Sequence, residues 1–146
     1  MATRGTYTNP VFQGYFADPF VLRDDGVYYA YGTDPDNDGD GVFEVLRSDD
    51  LVSWTSLGYA LPRIDDPDAQ DYWAPEVARR DGHFFLYYSA GIEDTRHRIR
   101  VAVADRPEGP FEDAGRVLTT DEPFAIDPHP FLDDDGRWYL YYAHDI

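Results

Sequence analysis

"FVLRDDGVYYAYG" (residues 20–32), "EVARRDGHFFLYYS" (76–89) and "PFLDDDGRWYLYYA" (130–143) are three versions of one pattern. Each sets two apolar and aromatic runs on either side of an Asp-Gly pair. The turn glycines Gly26, Gly82 and Gly136 stand 56 and 54 residues apart. Short runs of this composition around Asp-Gly read as antiparallel hairpins, and no segment holds a helical period. A second shared element follows the first two hairpins. "VFEVLRSDDLVSWTSLG" (42–58) resembles "RIRVAVADRPEGPFEDAG" (98–115), each with an alternating strand, a turn, an aromatic at Trp54 or Phe111, and a closing Gly58 or Gly115.

The repeating unit is therefore two hairpins, or four strands, in about 55 residues, the size of a propeller blade. The expected fold is all-β, a β-propeller of four-stranded antiparallel blades. Blade one is expected over residues 18–58, blade two over 73–118, and the first hairpin of blade three over 127–146. A closed ring needs at least about four blades, so residues 1–146 are expected to form part of a propeller domain. The last strand would present an unpaired edge, which makes self-association through that edge an expectation.

Composition narrows the function. The chain has 146 residues with 12 Tyr, 9 Phe and 3 Trp, enough aromatic material for a real core. There is no cysteine, which excludes disulfides and thiolate metal sites. The formal charge is -17, and all 12 basic residues are arginine. Such a surface repels phosphate backbones and anionic lipid, so neither nucleic acid nor membrane is an expected partner; a neutral small-molecule or oligosaccharide substrate is. The N-terminal "MATRGTYTNPVF" lacks the apolar core of a secretory signal, and no stretch approaches a membrane span. Localisation is left open between the cell interior and export with a removed leader.

In a propeller the first strand of every blade lies innermost, so residues entering those strands gather at one mouth of the central channel. The repeat places Asp18-Pro19, Trp73-Ala74-Pro75-Glu76 and Asp127-Pro128-His129 at these entrances. Proline suits a strand entrance, where its missing N–H costs no ladder bond. Asp-Pro often merely begins a turn, but recurrence at equivalent positions gives Asp18 and Asp127 a shared cavity. Trp73 there offers an aromatic face to a sugar ring, and Glu76 and His129 are further candidate contacts. Carboxylates facing an aromatic wall, without thiol or cofactor motif, suit glycoside hydrolysis.

At these residues the chain resembles glycoside hydrolase family 43, five-bladed β-xylosidases, α-L-arabinofuranosidases and arabinanases. The matching stretches are "NPVFQGYFADPFVLRDDGVYYAYGT", "SDDLVSWTSLG", "DYWAPEVARRDGHFFLYYSA", "RIRVAVADRPEGPF" and "IDPHPFLDDDGRWYLYYA", in the family's order over nearly the whole chain. The resemblance implies about two and a half of five blades. It makes Asp18 the general base that deprotonates the attacking water, and Asp127 the aspartate that raises the pKa of the general acid. It makes Trp73 and Glu76 linings of the sugar pocket. The family's acid is a glutamate on a later blade, and none of Glu44, Glu76, Glu93, Glu108, Glu112 or Glu122 matches its context. The expectation is an inverting pentosidase whose 146-residue chain is inactive by itself.

Two other readings stay open at this stage: a retaining fructoside-type five-bladed furanosidase, and a non-catalytic or self-assembling propeller fragment. The first usually continues Asp-Pro with Asn and Gly, where this chain has Phe20-Val21. The resemblance requires no cofactor. Family members often carry a calcium near the channel axis, but its usual histidine ligand belongs to later blades, and residues of this chain do not support it. "DPDNDGDG" (34–41) matches the first half of an EF-hand loop through Asp34, Asp36, Asp38 and Gly39. Val45 stands where the twelfth-position Glu belongs, and strands flank the loop, so an acidic turn is expected there. "IDDPDAQD" (64–71) is expected to join the first two blades.

Overall fold

The computed structural model describes residues 6–34, 39 and 41–145, and among them every regular element is a strand. Two four-stranded antiparallel meanders follow one another. The first is β1 (Ala17–Asp24), β2 (Val27–Thr33), β3 (Gly41–Ser48) and β4 (Thr55–Pro62). The second is β5 (Asp71–Arg80), β6 (His83–Ile92), β7 (Thr95–Ala104) and β8 (Glu112–Val117). A two-stranded hairpin, β9 (Ala125–Leu132) and β10 (Trp138–His144), completes the chain. The first strands of the three sheets are neighbours, β1 beside β5 and β5 beside β9. Blades arranged about a common axis require this arrangement.

The Asp-Gly pairs act as read. Asp25 and Gly26 have φ of 45° and 84°, and Asp81 and Gly82 have 52° and 85°. Positive φ at both central residues is the I′ hairpin turn, whose twist matches the flanking strands. The third hairpin departs from this. Beyond Leu132↔Trp138, Asp133 N–H donates to the Arg137 carbonyl at 2.9 Å, and the loop is closed by Gly136 N–H donating to the Asp133 carbonyl at 2.9 Å.

Gly58 and Gly115 do not end their strands. Gly58 (φ 95°) lies within β4 where the register against β3 slips, and β4 continues to Pro62. Gly115 (φ 66°) lies at the matching slip between β8 and β7. Both are bulge glycines, so the recurrence marks a bend in each outer strand rather than a blade boundary.

Sheets one and two share one core. Tyr31, Phe43, Val45, Leu61, Tyr72, Val77, Leu86, Tyr88 and Phe111 are buried in it. The Phe43 ring meets Tyr72 and Tyr88 edge-on at centroid distances of 6.1 and 5.6 Å, and Tyr72 stacks on Tyr88 at 6.0 Å. Such aromatic pairs contribute about 0.5–1.5 kcal/mol each beyond area burial. The backbone also crosses between sheets, with Phe111 N–H donating to the Ala60 carbonyl at 2.7 Å. By contrast, Phe131, Leu132, Tyr139 and Tyr141 of the third sheet keep large apolar side chains exposed, as do Val21, Leu57 and Tyr59 of the first.

Candidate active site

One backbone feature recurs at the three strand entrances. Asp18, Ala74 and Asp127, each followed by proline, have φ of 46°, 49° and 57°. At each the register slips: Ala17↔Thr33 to Phe20↔Tyr31, Trp73↔Ser89 to Glu76↔Tyr87, and Ile126↔Ala143 to His129↔Tyr141. These are bulges, which re-aim a side chain and are common beside active sites. The three registers give a position-by-position equivalence between blades. Asp18, Ala74 and Asp127 occupy one place, Phe20, Glu76 and His129 another, and Thr33, Ser89 and Ala143 a third.

Left-handed backbone is unfavourable for most side chains, and aspartate tolerates it better than most. Ala74 holds the same conformation without a carboxylate. The kink therefore does not depend on an acid, and the acids at Asp18 and Asp127 call for a chemical reason. Both carboxylates are solvent-accessible. Partial burial first, and the Asp18 carboxylate second, push the Asp127 carboxyl above its usual range. The fold thus brings together two acids separated by more than a hundred residues of sequence. In Asp18→Asn the like charge is gone, so Asp127 is expected to titrate at lower pH than in the wild-type chain. Carbon-detected NMR titration of the side-chain carboxyls checks this on the 146-residue chain, and an unchanged Asp127 midpoint would refute the coupling.

Trp73 enters β5 one residue before the second kink and is partly buried. Its indole stacks on the imidazole of His97, with ring centroids 3.6 Å apart and planes 20° apart. His97, on β7, is fully buried. Its Nε2 lies 2.7 Å from the Glu93 carbonyl, and its Nδ1 has no hydrogen-bond partner. Burial holds the imidazole below its usual pKa, so it stands neutral with the proton on Nε2. Gly91 makes room for it, since a Cβ there would lie 2.5 Å from the ring. One face of Trp73 is thereby fixed by a flat neighbour.

Glu76 and His129 meet each other. Oε2 of Glu76 lies 2.7 Å from Nδ1 of His129, joining the first strands of blades two and three. Both remain partly accessible, with side-chain exposures of 26% and 54%. The acidic stretch 34–41 is only partly described, and Asp36 and Asp38 of the EF-hand comparison lie outside the described residues. Among the described residues no three His, Cys, Asp or Glu side chains are grouped to hold a metal ion.

The contacts of Thr33 and His97 lie beyond the sequence reading. Thr33 had a signal, because hydroxyl residues at 33 and 89 share the 56-residue spacing of the turn glycines. His97 had none, since an isolated histidine on an alternating strand does not announce a stacking partner 24 positions away. The interblade stretch 64–71 is structural: Asp66 receives Arg100 at 2.9 Å, and Asp71 accepts from Glu93 N–H at 2.7 Å.

Two four-stranded antiparallel sheets and a third hairpin, with kinked Asp-Pro entrances to the first and third, are the architecture of part of a β-propeller. Comparison with known proteins bears on the fold and the family. The model for glycosyl hydrolases family 43 matches residues 7–145. A β-D-galactofuranosidase of Aspergillus niger is 34% identical over 92% of this chain and 44% of its own length. The crystal structure of a thermostable family-43 glycoside hydrolase superimposes with a TM-score of 0.83 at 38% identity, covering 96% of this chain and 45% of that one. A family-43 β-xylosidase/α-arabinofuranosidase from a compost metagenome, solved with xylotriose, gives 0.73 at 33% identity over 94% of this chain and 45% of its own. The chain belongs to glycosyl hydrolase family 43 and spans less than half the length of these relatives.

Proposed function

We propose that these blades form the base side of an inverting glycosidase acting on β-xylosides or α-L-arabinofuranosides. The observation that supports this reading is the pair of left-handed Asp-Pro kinks. They recur in blades one and three, with Trp73 entering the strand between them. In this reading the outer face of Trp73 receives the sugar ring, while His97 holds the inner face. Asp18 takes a proton from a water molecule as that water attacks the anomeric carbon. A separate acid gives its proton to the departing glycosidic oxygen on the opposite face. Inversion needs these two carboxyls about 6.5–9.5 Å apart, with the water between them. Asp127 orients that acid and raises its pKa through its own negative charge. The acid is supplied by residues outside 1–146, so the 146-residue chain by itself hydrolyses these substrates negligibly. The exposed apolar faces of sheets one and three are where the remaining blades, or another copy of the chain, would pack.

The test uses aryl β-xylosides and aryl α-L-arabinofuranosides with the full-length protein that carries these blades. Proton NMR identifies the first-formed anomer. Inverted configuration is expected, together with negligible turnover by residues 1–146 alone. Retained configuration, with a glycosyl group trapped on Asp18, would replace the base by a nucleophile and establish the fructosidase-type mechanism instead.

A further inference from the structure

Thr33 closes β2 and is only 8% exposed. Its hydroxyl has two partners on different blades. Oγ1 lies 2.9 Å from Oδ2 of Asp18 in its own blade, and it accepts the Ala74 N–H of the next blade at 2.9 Å. The proton directions are fixed by chemistry. A backbone N–H can only donate and an ionised carboxylate can only accept, so the single hydroxyl proton of Thr33 points at Asp18. One oxygen of Asp18 is thereby held.

Blade two repeats half of this arrangement. Ser89 occupies the place of Thr33, and its Oγ accepts the Asp127 N–H at 3.1 Å. The residue equivalent to Asp18 in that blade is Ala74, so Ser89 has no carboxylate of its own to hold. The interblade latch is thus general to both junctions, whereas donation to a carboxylate occurs at Thr33 alone. Because Ala74 directly follows Trp73, the same hydroxyl sets Asp18 in register with the strand entrance that carries the aromatic platform.

We propose that Thr33 is a positioning residue for hydrolysis. It fixes which carboxylate oxygen of Asp18 meets the water, and it holds that oxygen at a set distance from the Trp73 platform. This rests on Asp18 being the base. The experiment compares Thr33→Val, Thr33→Ser and Asp18→Asn in the full-length protein. It measures kcat and KM on the aryl glycoside, with amide exchange at Ala74 read by NMR. Thr33→Val keeps the shape and loses the hydroxyl; Thr33→Ala, which removes the hydroxyl and the γ-methyl together, replaces it should the valine variant fail to fold. Either is expected to lower kcat about 10- to 100-fold, the loss of one hydrogen bond to a charged group, with KM within about threefold. Amide exchange at Ala74 should accelerate, and Thr33→Ser should restore both readouts. Wild-type kcat in the hydroxyl-free variants beside an inactive Asp18→Asn would overturn the inference and leave Asp18 as base. An active Asp18→Asn would overturn both. A serine variant as slow as valine would show that packing, not the hydroxyl, matters.

Discussion

Asp18→Asn is expected to lower kcat of the full-length enzyme by about 10²–10⁴-fold, the range for removal of a general base, while leaving the melting temperature unchanged. The two halves of this expectation come from different features of the same residue. Asparagine is close to isosteric with aspartate and visits left-handed backbone readily, so the kink at φ 46° survives. Its amide oxygen still accepts the Thr33 hydroxyl, so the link to Ala74 N–H is kept. What disappears is the capacity to take a proton. Ala74 supplies an internal control, since blade two builds the same kink around a methyl group. Kinetics and thermal melting on one preparation test both halves. Full activity in Asp18→Asn would remove the base from this residue, and a large drop in melting temperature would give the acid a structural role.

The fold was legible because its signals are local. Asp25-Gly26 and Asp81-Gly82 must sit at positive φ to join two short aromatic runs, and their spacing declares the repeat without tertiary information. The gathering of Asp18 and Asp127 at one mouth followed from topology alone. What stayed hidden depends on side chains finding each other across sheets. The pairing of Glu76 with His129 spans 53 residues, and the stack of Trp73 on His97 joins two strands of one sheet that have β6 between them. Acid identity was also ambiguous in sequence. Asp50 is pulled down to about 2 by accepting the Ser53 and Val52 N–H groups, yet it serves a turn. A perturbed carboxyl is therefore not by itself a catalytic one, and only the recurrence at homologous kinks separates Asp18 and Asp127 from the other acids. Gly58 and Gly115 misled in a smaller way, because a positive-φ glycine serves a bulge as well as a turn.

Arg100→Met is expected to destabilise the 146-residue chain by about 3–5 kcal/mol, the cost of leaving a buried carboxylate without its partner. Arg100 and Asp113 have side-chain exposures of 11% and 9%. The guanidinium contacts both oxygens of Asp113, at 3.1 and 3.3 Å, and reaches Asp66 at 2.9 Å. Asp113 also accepts from the Tyr88 hydroxyl, and from Gly115 N–H at 2.8 Å. Methionine fills part of the arginine volume, but it returns none of these charge-assisted bonds. The network ties β6, β7 and β8 to the loop that launches β5, and β5 carries Trp73 and Ala74 into the channel mouth. Its pH dependence has a definite sign. Burial alone would raise the Asp113 carboxyl, but the bonds from Arg100, Tyr88 and Gly115 outweigh it and hold the group below its usual range. Its contribution is therefore complete above the unfolded-state value of about 3.9 and is lost as pH falls through the depressed folded value. Urea denaturation at neutral pH should show the full gap between wild type and Arg100→Met, and the gap should narrow below about pH 4 as Asp113 takes up a proton. Adding Asp113→Asn to Arg100→Met should recover part of the loss, because the stranded charge is then gone. A loss below about 1 kcal/mol at neutral pH, the range of an exposed ion pair, would show that the network does not hold the blade.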